Sequence, residues 1–541
     1  MSDTGSDYLL SAVAAEGVTE LFGLVGEGNS HIVDRLHEAS LDYRYARHEQ
    51  VAVMMADGYA RTTGTVGVCT LTHGPGLTNG VTGLAAADRD GVPLVVIVGD
   101  SAQAGHETSL QYLDHLDMTT GVTVYGTRVE TPATLSEKLR RAFDMARTRS
   151  GPVVIEVPGD VQKAAAPDTP YEPKRNSTGR VHPDPDRVTA AADLLDRADR
   201  PVVLAGGGAA AADAGPALAT LADRLGAPVA TTFYARGVLP ESHPMVTGIA
   251  GTFMTPASAD LVPDADALLA VGAQLSGKTT RYGDLFDDAA IAQIDLDPEA
   301  VGRHRDVDVG VVGDARATVE ALAERVDPNP DRARTVRDRI DAADRPADLP
   351  FESTPDRVDP RALTVAVSEA APADTVVTVD SGNNTGFPAV FHRVDGDERM
   401  LVNGNFGSMG YALPAALGAK VAAPDRPVVC YTGDGGLLQV LQDVETAVRY
   451  GLGVVIVVYN DASYGIIRHR QNLEYGRETG SNYDSPDFAA TARGLGAEAV
   501  TVRSTDDLDP VRSHLAEHRE RPLVVDARTV PEVSRPGFPP Y

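Results

Sequence analysis

The sequence predicts an α/β protein of three doubly wound parallel-sheet domains, and three observations carry that prediction. Short apolar, strand-like runs alternate with helical stretches along most of the chain. Those runs end in glycine-rich corners, as at Gly206-Gly207-Gly208 and Gly433-Asp434-Gly435-Gly436. Two polar, proline-rich stretches, 163–188 and 328–360, the second with a short helix, read as linkers that divide the 541 residues into blocks at 1–165, 188–327 and 360–541.

Composition narrows the function. The chain has 48 basic and 77 acidic side chains, a net charge of −29, which argues against nucleic acid or an anionic membrane as partner. The acids are spread through helical segments, a pattern resembling the hydrated acidic surface of salt-adapted proteins. The two cysteines, Cys69 and Cys430, sit in apolar runs and read as buried free thiols, and no Cys/His metal cluster appears. The N-terminal residues lack a basic start and cleavable apolar core, and no run approaches about 18 apolar residues, so a cytoplasmic protein is expected.

In the first block, helices are expected at 9–15, 31–39 and 51–61, with strands at 20–25, 43–47 and 66–71. The strand at 43–47 stops at His48-Glu49-Gln50, and a carboxylate at a buried strand end needs a partner or a task. A helix N-terminus would equally favour an acid there. The next strand leads into Thr72-His73-Gly74-Pro75-Gly76-Leu77-Thr78-Asn79, a sharp strand-to-helix corner. The central block opens with a strand at 201–205 and its glycine cluster, but the GxGxxG spacing is incomplete and no ribose-binding acid stands out.

The third block carries the strongest signal. A strand at 375–380 runs into Ser381-Gly382-Asn383-Asn384, and Asn403-Gly404-Asn405-Phe406-Gly407-Ser408-Met409-Gly410 follows. A strand at 427–431 ends in the Asp434 turn; Leu437, Leu438, Leu441, Val444, Ala447 and Val448 have helical spacing. A buried strand at 453–459 then ends in Asn460-Asp461-Ala462-Ser463-Tyr464-Gly465. Parallel strands finish at one sheet edge, so Asp434 and Asp461 should face one another across a crevice. Two hard oxygen donors among glycines suit Mg²⁺ and a diphosphate.

Gly-Asp-Gly followed at this spacing by Asn-Asp resembles the cofactor motif of thiamine-diphosphate enzymes, of the acetolactate synthase and benzoylformate decarboxylase type. The segments RHEQVAVMMADGYAR and HGPGLTN resemble two further family motifs, and the resemblance covers nearly the whole chain. It implies a pyrimidine-binding first domain, a central domain, and a diphosphate-binding third domain. Asp434, the Asp461 side chain and the Ser463 carbonyl would bind Mg²⁺; the commoner family residue at 461 is Asn. Glu49 would activate the cofactor, with Gly74, Pro75 and Asn79 beside the pyrimidine. Gly382, Asn383, Asn384, Gly433, Gly435, Gly436, Tyr464 and Gly465 would surround the diphosphate. Met409 would wedge between the cofactor rings, and the Gly407 carbonyl would accept from the 4′-amino group. His73 is a candidate for substrate proton transfer, or a structural turn histidine.

Family members build each site between two subunits, so a homodimer or homotetramer is implied. The expected activity is decarboxylation or carboligation of a 2-oxo acid, acetolactate synthase-like. The alternatives are a benzoylformate- or sulfopyruvate-type decarboxylase, or an idle cofactor-binding subunit, which the presence of Glu49 disfavours. Acetolactate synthases carry FAD with an Arg-Asp-Asp-Arg cluster where this chain reads VGAQLSGKTTR, which argues against FAD. They also carry tryptophan where Arg470 stands; an arginine there would bind an anionic substrate group or point to solvent.

Overall fold

In the computed structural model, residues 3–174, 180–395, 399–517 and 519–538 are described. They form three six-stranded sheets in which every ladder is parallel, as expected. The first sheet contains β1 (Glu20–Gly23), β2 (Asp42–Tyr45), β3 (Gly67–Thr72), β4 (Leu94–Asp100), β5 (Tyr125–Arg128) and β6 (Pro152–Pro158), in the order 2-1-3-4-6-5. The central sheet contains β7 (Pro201–Ala205), β8 (Val229–Thr231), β9 (Val246–Ile249), β10 (Ala267–Val271), β11 (Ala290–Asp295) and β12 (Val309–Val312), in the order 12-11-10-7-8-9. The third contains β13 (Val376–Val379), β14 (Arg399–Val402), β15 (Val428–Gly433), β16 (Val454–Asn460), β17 (Glu498–Val502) and β18 (Leu523–Arg528), in the order 14-13-15-16-18-17.

Renumbered from its own first strand, the third sheet has the order of the first. The central order is instead that of dinucleotide-binding sheets. In the first and third sheets, strand 1 is flanked by strands 2 and 3, which creates a crevice between the C-terminal ends of strands 1 and 3. The mid-sheet strands β4, β6 and β16, buried on both faces, are rich in Val, Ile and Leu for that reason, with Glu156 interrupting β6. Cys69 in β3 and Cys430 in β15 are buried free thiols, and burial raises the pKa of both.

The first and third domains share one apolar core through two topologically equivalent helices, Glu49–Thr63 and Ala412–Ala422. Small residues let the backbones touch. A Cβ on Gly58 would lie 2.3 Å from the Ala415 carbonyl oxygen, and one on Gly418 would lie 2.0 Å from that of Met55. Tyr411 donates its hydroxyl to buried Asp57 at 2.6 Å, and Arg61 pairs with both Asp57 and Asp90, at 2.7 and 2.8 Å. The central domain joins the same junction through Tyr234, whose hydroxyl donates to Asp90 at 2.8 Å.

One segment departs from the sequence reading. The helix expected over 437–448 is broken into Asp434–Val440, a 3₁₀ turn at Leu441–Asp443, and Val444–Arg449. Asp443 is turned toward the first domain, where its carboxylate accepts the Arg47 N–H at 2.8 Å, and Leu438 is exposed. The stretch 328–360 contains the thirteen-residue helix Pro330–Ala342, capped by Asn329. That helix is seated on the central core through Val336 and Ile340, and Arg332 donates to the Ala198 and Leu225 carbonyls.

The helix seam makes a direct prediction. Gly418→Ala places a methyl against a backbone carbonyl that cannot rotate away, and should destabilise the protein by about 1–3 kcal/mol. Urea unfolding followed by far-UV circular dichroism measures this.

Candidate active site

The crevice of the third domain lies at its strand-order reversal, between the ends of β13 and β15, where ligands of open parallel sheets bind. Every third-domain residue singled out from the sequence, except Arg470, lines it. The register Gly433↔Tyr459 brings the ends of β15 and β16 level, so Asp434 and Asp461 follow on adjacent strands. Asp434 Oδ1 accepts the Gly435 N–H at 2.8 Å and Oδ2 accepts the Ala462 N–H, also at 2.8 Å. Ala462 reaches it because its backbone adopts φ 60°, a left-handed conformation that is costly for a residue with a side chain. Asp461 Oδ1 accepts both the N–H and the hydroxyl of Ser463, each at 3.0 Å.

Neither carboxylate forms an ion pair with a described basic side chain. Burial lifts Asp434 to about 7, with the charge of Asp461 adding to the rise. Burial also raises Asp461, against the opposing pull of Ser463 and Arg468. Two buried carboxylates with raised pKa values beside glycines are a donor set that a divalent cation would relieve, so the residues present fit Mg²⁺.

Glycine keeps this crevice open. A Cβ on Gly436 would lie 2.6 Å from Asp380 Oδ2, and one on Gly465 would lie 2.8 Å from Asp461 Oδ2. Met409 is half-buried at the edge, with its sulfur 4.0 Å from Gln439 Nε2, and Gly407 beside it adopts φ 75°. Tyr464 is exposed, its ring edge-on to Tyr483 at 5.3 Å. Arg470 is also exposed, paired with Glu474 at 2.9 Å one helical turn away.

In the first domain, Glu49 starts its helix and is buried, and Asn79 Nδ2 donates to Glu49 Oε2 at 3.0 Å. Gly76 approaches the other oxygen: a Cβ there would lie 3.7 Å from Oε1. Gly74 and Pro75 form the corner opening the helix Pro75–Asp90, with Gly74 at φ 57°, ψ −116°. His73 is buried against Gly28, and its Nδ1 has no hydrogen-bond partner among the described residues. None of these groups lines the third-domain crevice of the same chain.

The sequence reading missed two features. Asp380, fully buried at the end of β13, accepts the Ser381 N–H (2.9 Å), the Tyr411 N–H (3.3 Å), the Gly410 N–H (3.1 Å) and the Thr432 hydroxyl (2.8 Å). It thereby ties the Gly382 turn, the Met409 loop and the Asp434 strand together. Nothing near Asp380 in sequence signals this, because most of its donors lie tens of residues away. Asn383 brackets the C-terminal segment, donating to the Val533 carbonyl at 3.0 Å and accepting the Arg535 N–H at 2.9 Å. A second cavity, between the central and third domains, reaches from Gly207 and Lys278 to Arg535 and shares Ser381, Gly382 and Gly407 with the crevice.

Comparison with known proteins agrees with this arrangement. Residues 3–134 match the "Thiamine pyrophosphate enzyme, N-terminal TPP binding domain", 188–322 the "Thiamine pyrophosphate enzyme, central domain", and 380–527 the "Thiamine pyrophosphate enzyme, C-terminal TPP binding domain". The chain belongs to the thiamine pyrophosphate enzyme family. It is 32% identical to a probable acetolactate synthase large subunit of Methanocaldococcus jannaschii, over 99% of this chain and 93% of that protein. It is 35% identical to an acetolactate synthase large subunit of Parasynechococcus marenigrum (92% and 83%). With acetolactate synthase isozyme 3 large subunit of Escherichia coli it shares 31% identity (95% and 92%). This is therefore a thiamine-pyrophosphate-dependent, acetolactate synthase-like enzyme of 2-oxo acids. Among the described residues, no helix is long and apolar enough to cross a membrane.

Asp380 makes a pH prediction. Burial raises its pKa from 3.8 to about 6, against the four donors. The folded state therefore holds this proton more tightly than the unfolded state, and the group's contribution to stability falls as pH rises from about 4 to 6. Asp380→Asn should flatten that part of the stability–pH curve, by about 2–3 kcal/mol between its ends, measured by urea unfolding at each pH.

Proposed function

We propose that this enzyme decarboxylates a 2-oxo acid and transfers the remaining two-electron-richer fragment to a second carbonyl, with thiamine diphosphate held by Mg²⁺. The observation that carries the reading is the pairing of a buried, asparagine-bonded Glu49 on the first domain with the Asp434–Asp461 crevice on the third. The full-length likeness to acetolactate synthase large subunits favours carboligation over the simple decarboxylases.

Asp434 and Asp461 would hold Mg²⁺, aided by the Ser463 carbonyl, and the glycine-rich turns let backbone N–H groups approach the phosphates. Bound thiamine diphosphate supplies a nucleophilic carbon and an electron sink for decarboxylation. Glu49 Oε2 is engaged by Asn79, which leaves Oε1 to exchange a proton with N1′ of the pyrimidine. Met409, at the crevice edge, would support the bound cofactor, and the Gly407 carbonyl would accept from its 4′-amino group. FAD is not part of this proposal: at the central cavity the family's charged cluster is replaced by Gln274-Leu275-Ser276-Gly277-Lys278.

The site needs a second copy of the chain. The helix seam turns Glu49 away from its own crevice, while Leu438, Tyr464 and Ile467 are exposed in and beside the helices that flank the crevice. Val25 and Leu110 are exposed on the first domain, in the loops that follow β1 and β4. A homodimer or a homotetramer of such dimers would bring the two halves together.

Glu49→Gln should retain cofactor binding and slow exchange of the cofactor C2 proton by about 10²–10⁴-fold, followed by NMR in deuterium oxide. Exchange at the normal rate removes Glu49 from the chemistry. For the metal, calorimetry should show no Mg²⁺-dependent binding of thiamine diphosphate to Asp434→Ala, and binding within a few-fold of normal to Asp461→Asn, which keeps an oxygen donor.

A further inference from the structure

Behind the Gly74 corner lies a buried polar cluster that the proposed function does not use. His115 opens a short helix, His115–Thr119, and is 1% exposed. Its Nε2 is 2.8 Å from the Gly74 nitrogen, and its Nδ1 is 2.6 Å from Glu156 Oε1 on β6. Glu156 is 3% exposed, and its second oxygen accepts from Arg128 on β5 at 3.2 Å. Arg128 in turn reaches Asp100 at the end of β4 at 2.7 Å, where His106 also bonds.

Geometry fixes the tautomer. A backbone N–H only donates, so Nε2 must present its lone pair to Gly74, and the ring proton must sit on Nδ1, facing the Glu156 carboxylate. The carboxylate thus holds the imidazole in the one form that can accept from Gly74. Gly74 needs such a partner. Among the described residues its N–H meets no backbone carbonyl, and a Cβ on Gly74 would lie 2.4 Å from the Gln111 carbonyl oxygen. Gly74 is the N-cap of Pro75–Asp90, the helix that carries Gly76 and Asn79 to Glu49.

We infer that His115, oriented by Glu156, is a positioning residue for the activating end of the site: it locks the Gly74 turn and so sets the register of Asn79 against Glu49. This rests on the proposed role of Glu49. His115 itself touches neither Glu49 nor the crevice, and it acts through the backbone.

Neutron diffraction from the cofactor-free protein tests the geometry without any variant. The expected result is a proton on Nδ1 and none on Nε2; a proton on Nε2 overturns the inference. The functional arm compares His115→Phe, which keeps a ring but removes both nitrogens, with His115→Gln, whose amide oxygen can accept from Gly74. In His115→Phe, C2-proton exchange should slow by about 10–100-fold, with affinity for thiamine diphosphate within about threefold of normal. His115→Gln should recover most of the rate. Glu49→Gln serves as the reference. Normal exchange in His115→Phe beside slow exchange in Glu49→Gln overturns the inference alone, whereas normal exchange in both overturns the proposed function. If His115→Phe does not fold, Glu156→Gln takes its place, with the same loss expected and the same contradiction if the rate is unchanged.

Discussion

Backbone contact between two helices governs the rest of this molecule. Gly58 and Gly418 let the helices Glu49–Thr63 and Ala412–Ala422 meet with no side chain between them, and a single apolar core closes around the seam. Both helices follow the second strand of their own sheet, in domains of identical strand order. The contact therefore relates two like halves, each with a ligand-binding edge. It also holds the two edges apart within one chain, since the residues around Glu49 do not line the third-domain crevice. A buried network of Asp57, Arg61, Asp90 and Tyr411 completes the junction. Buried ion pairs of this kind contribute less to stability than to fixing one arrangement, and here that arrangement includes the central domain through Tyr234.

The two halves solve different electrostatic problems. In the third domain, Asp434 and Asp461 are buried close together and resist ionisation, so the crevice stores a demand for positive charge. Glycines beside them leave room for a phosphate to approach the backbone, and Asp380 locks three loops into that shape from below. In the first domain, the Glu49 carboxylate has a neutral partner, Asn79, on one oxygen and, among the described residues, no hydrogen bond on the other. On the proposed function, one edge would hold an anion through a cation and the other would exchange a proton.

Much of this was legible in the sequence because local chemistry specified it. Strand runs, glycine corners and the Asp434–Asp461 spacing follow from periodicity and turn geometry, and the third-domain site residues that the family resemblance added also line the crevice, apart from Arg470. What stayed hidden depends on contacts between distant segments. Asp380 looked like an ordinary strand end because its donors at 410, 411 and 432 are brought in by the fold. The helix expected across 437–448 breaks because Asp443 serves the first domain. Arg470 stands at a position the family fills with an aromatic residue, yet it lies on a solvent-facing helix turn beside Glu474.

The central claim is that one chain supplies Glu49 and another supplies Asp434 to each site. Mixing Glu49→Gln subunits with Asp434→Ala subunits, after co-expression or reversible dissociation, tests it most directly. Each variant alone should be inactive. Hybrid dimers have one site with both defects and one with neither, so random mixing should restore roughly a quarter of normal activity. No recovery, in a sample shown by mass spectrometry to contain the hybrid, would contradict a shared site.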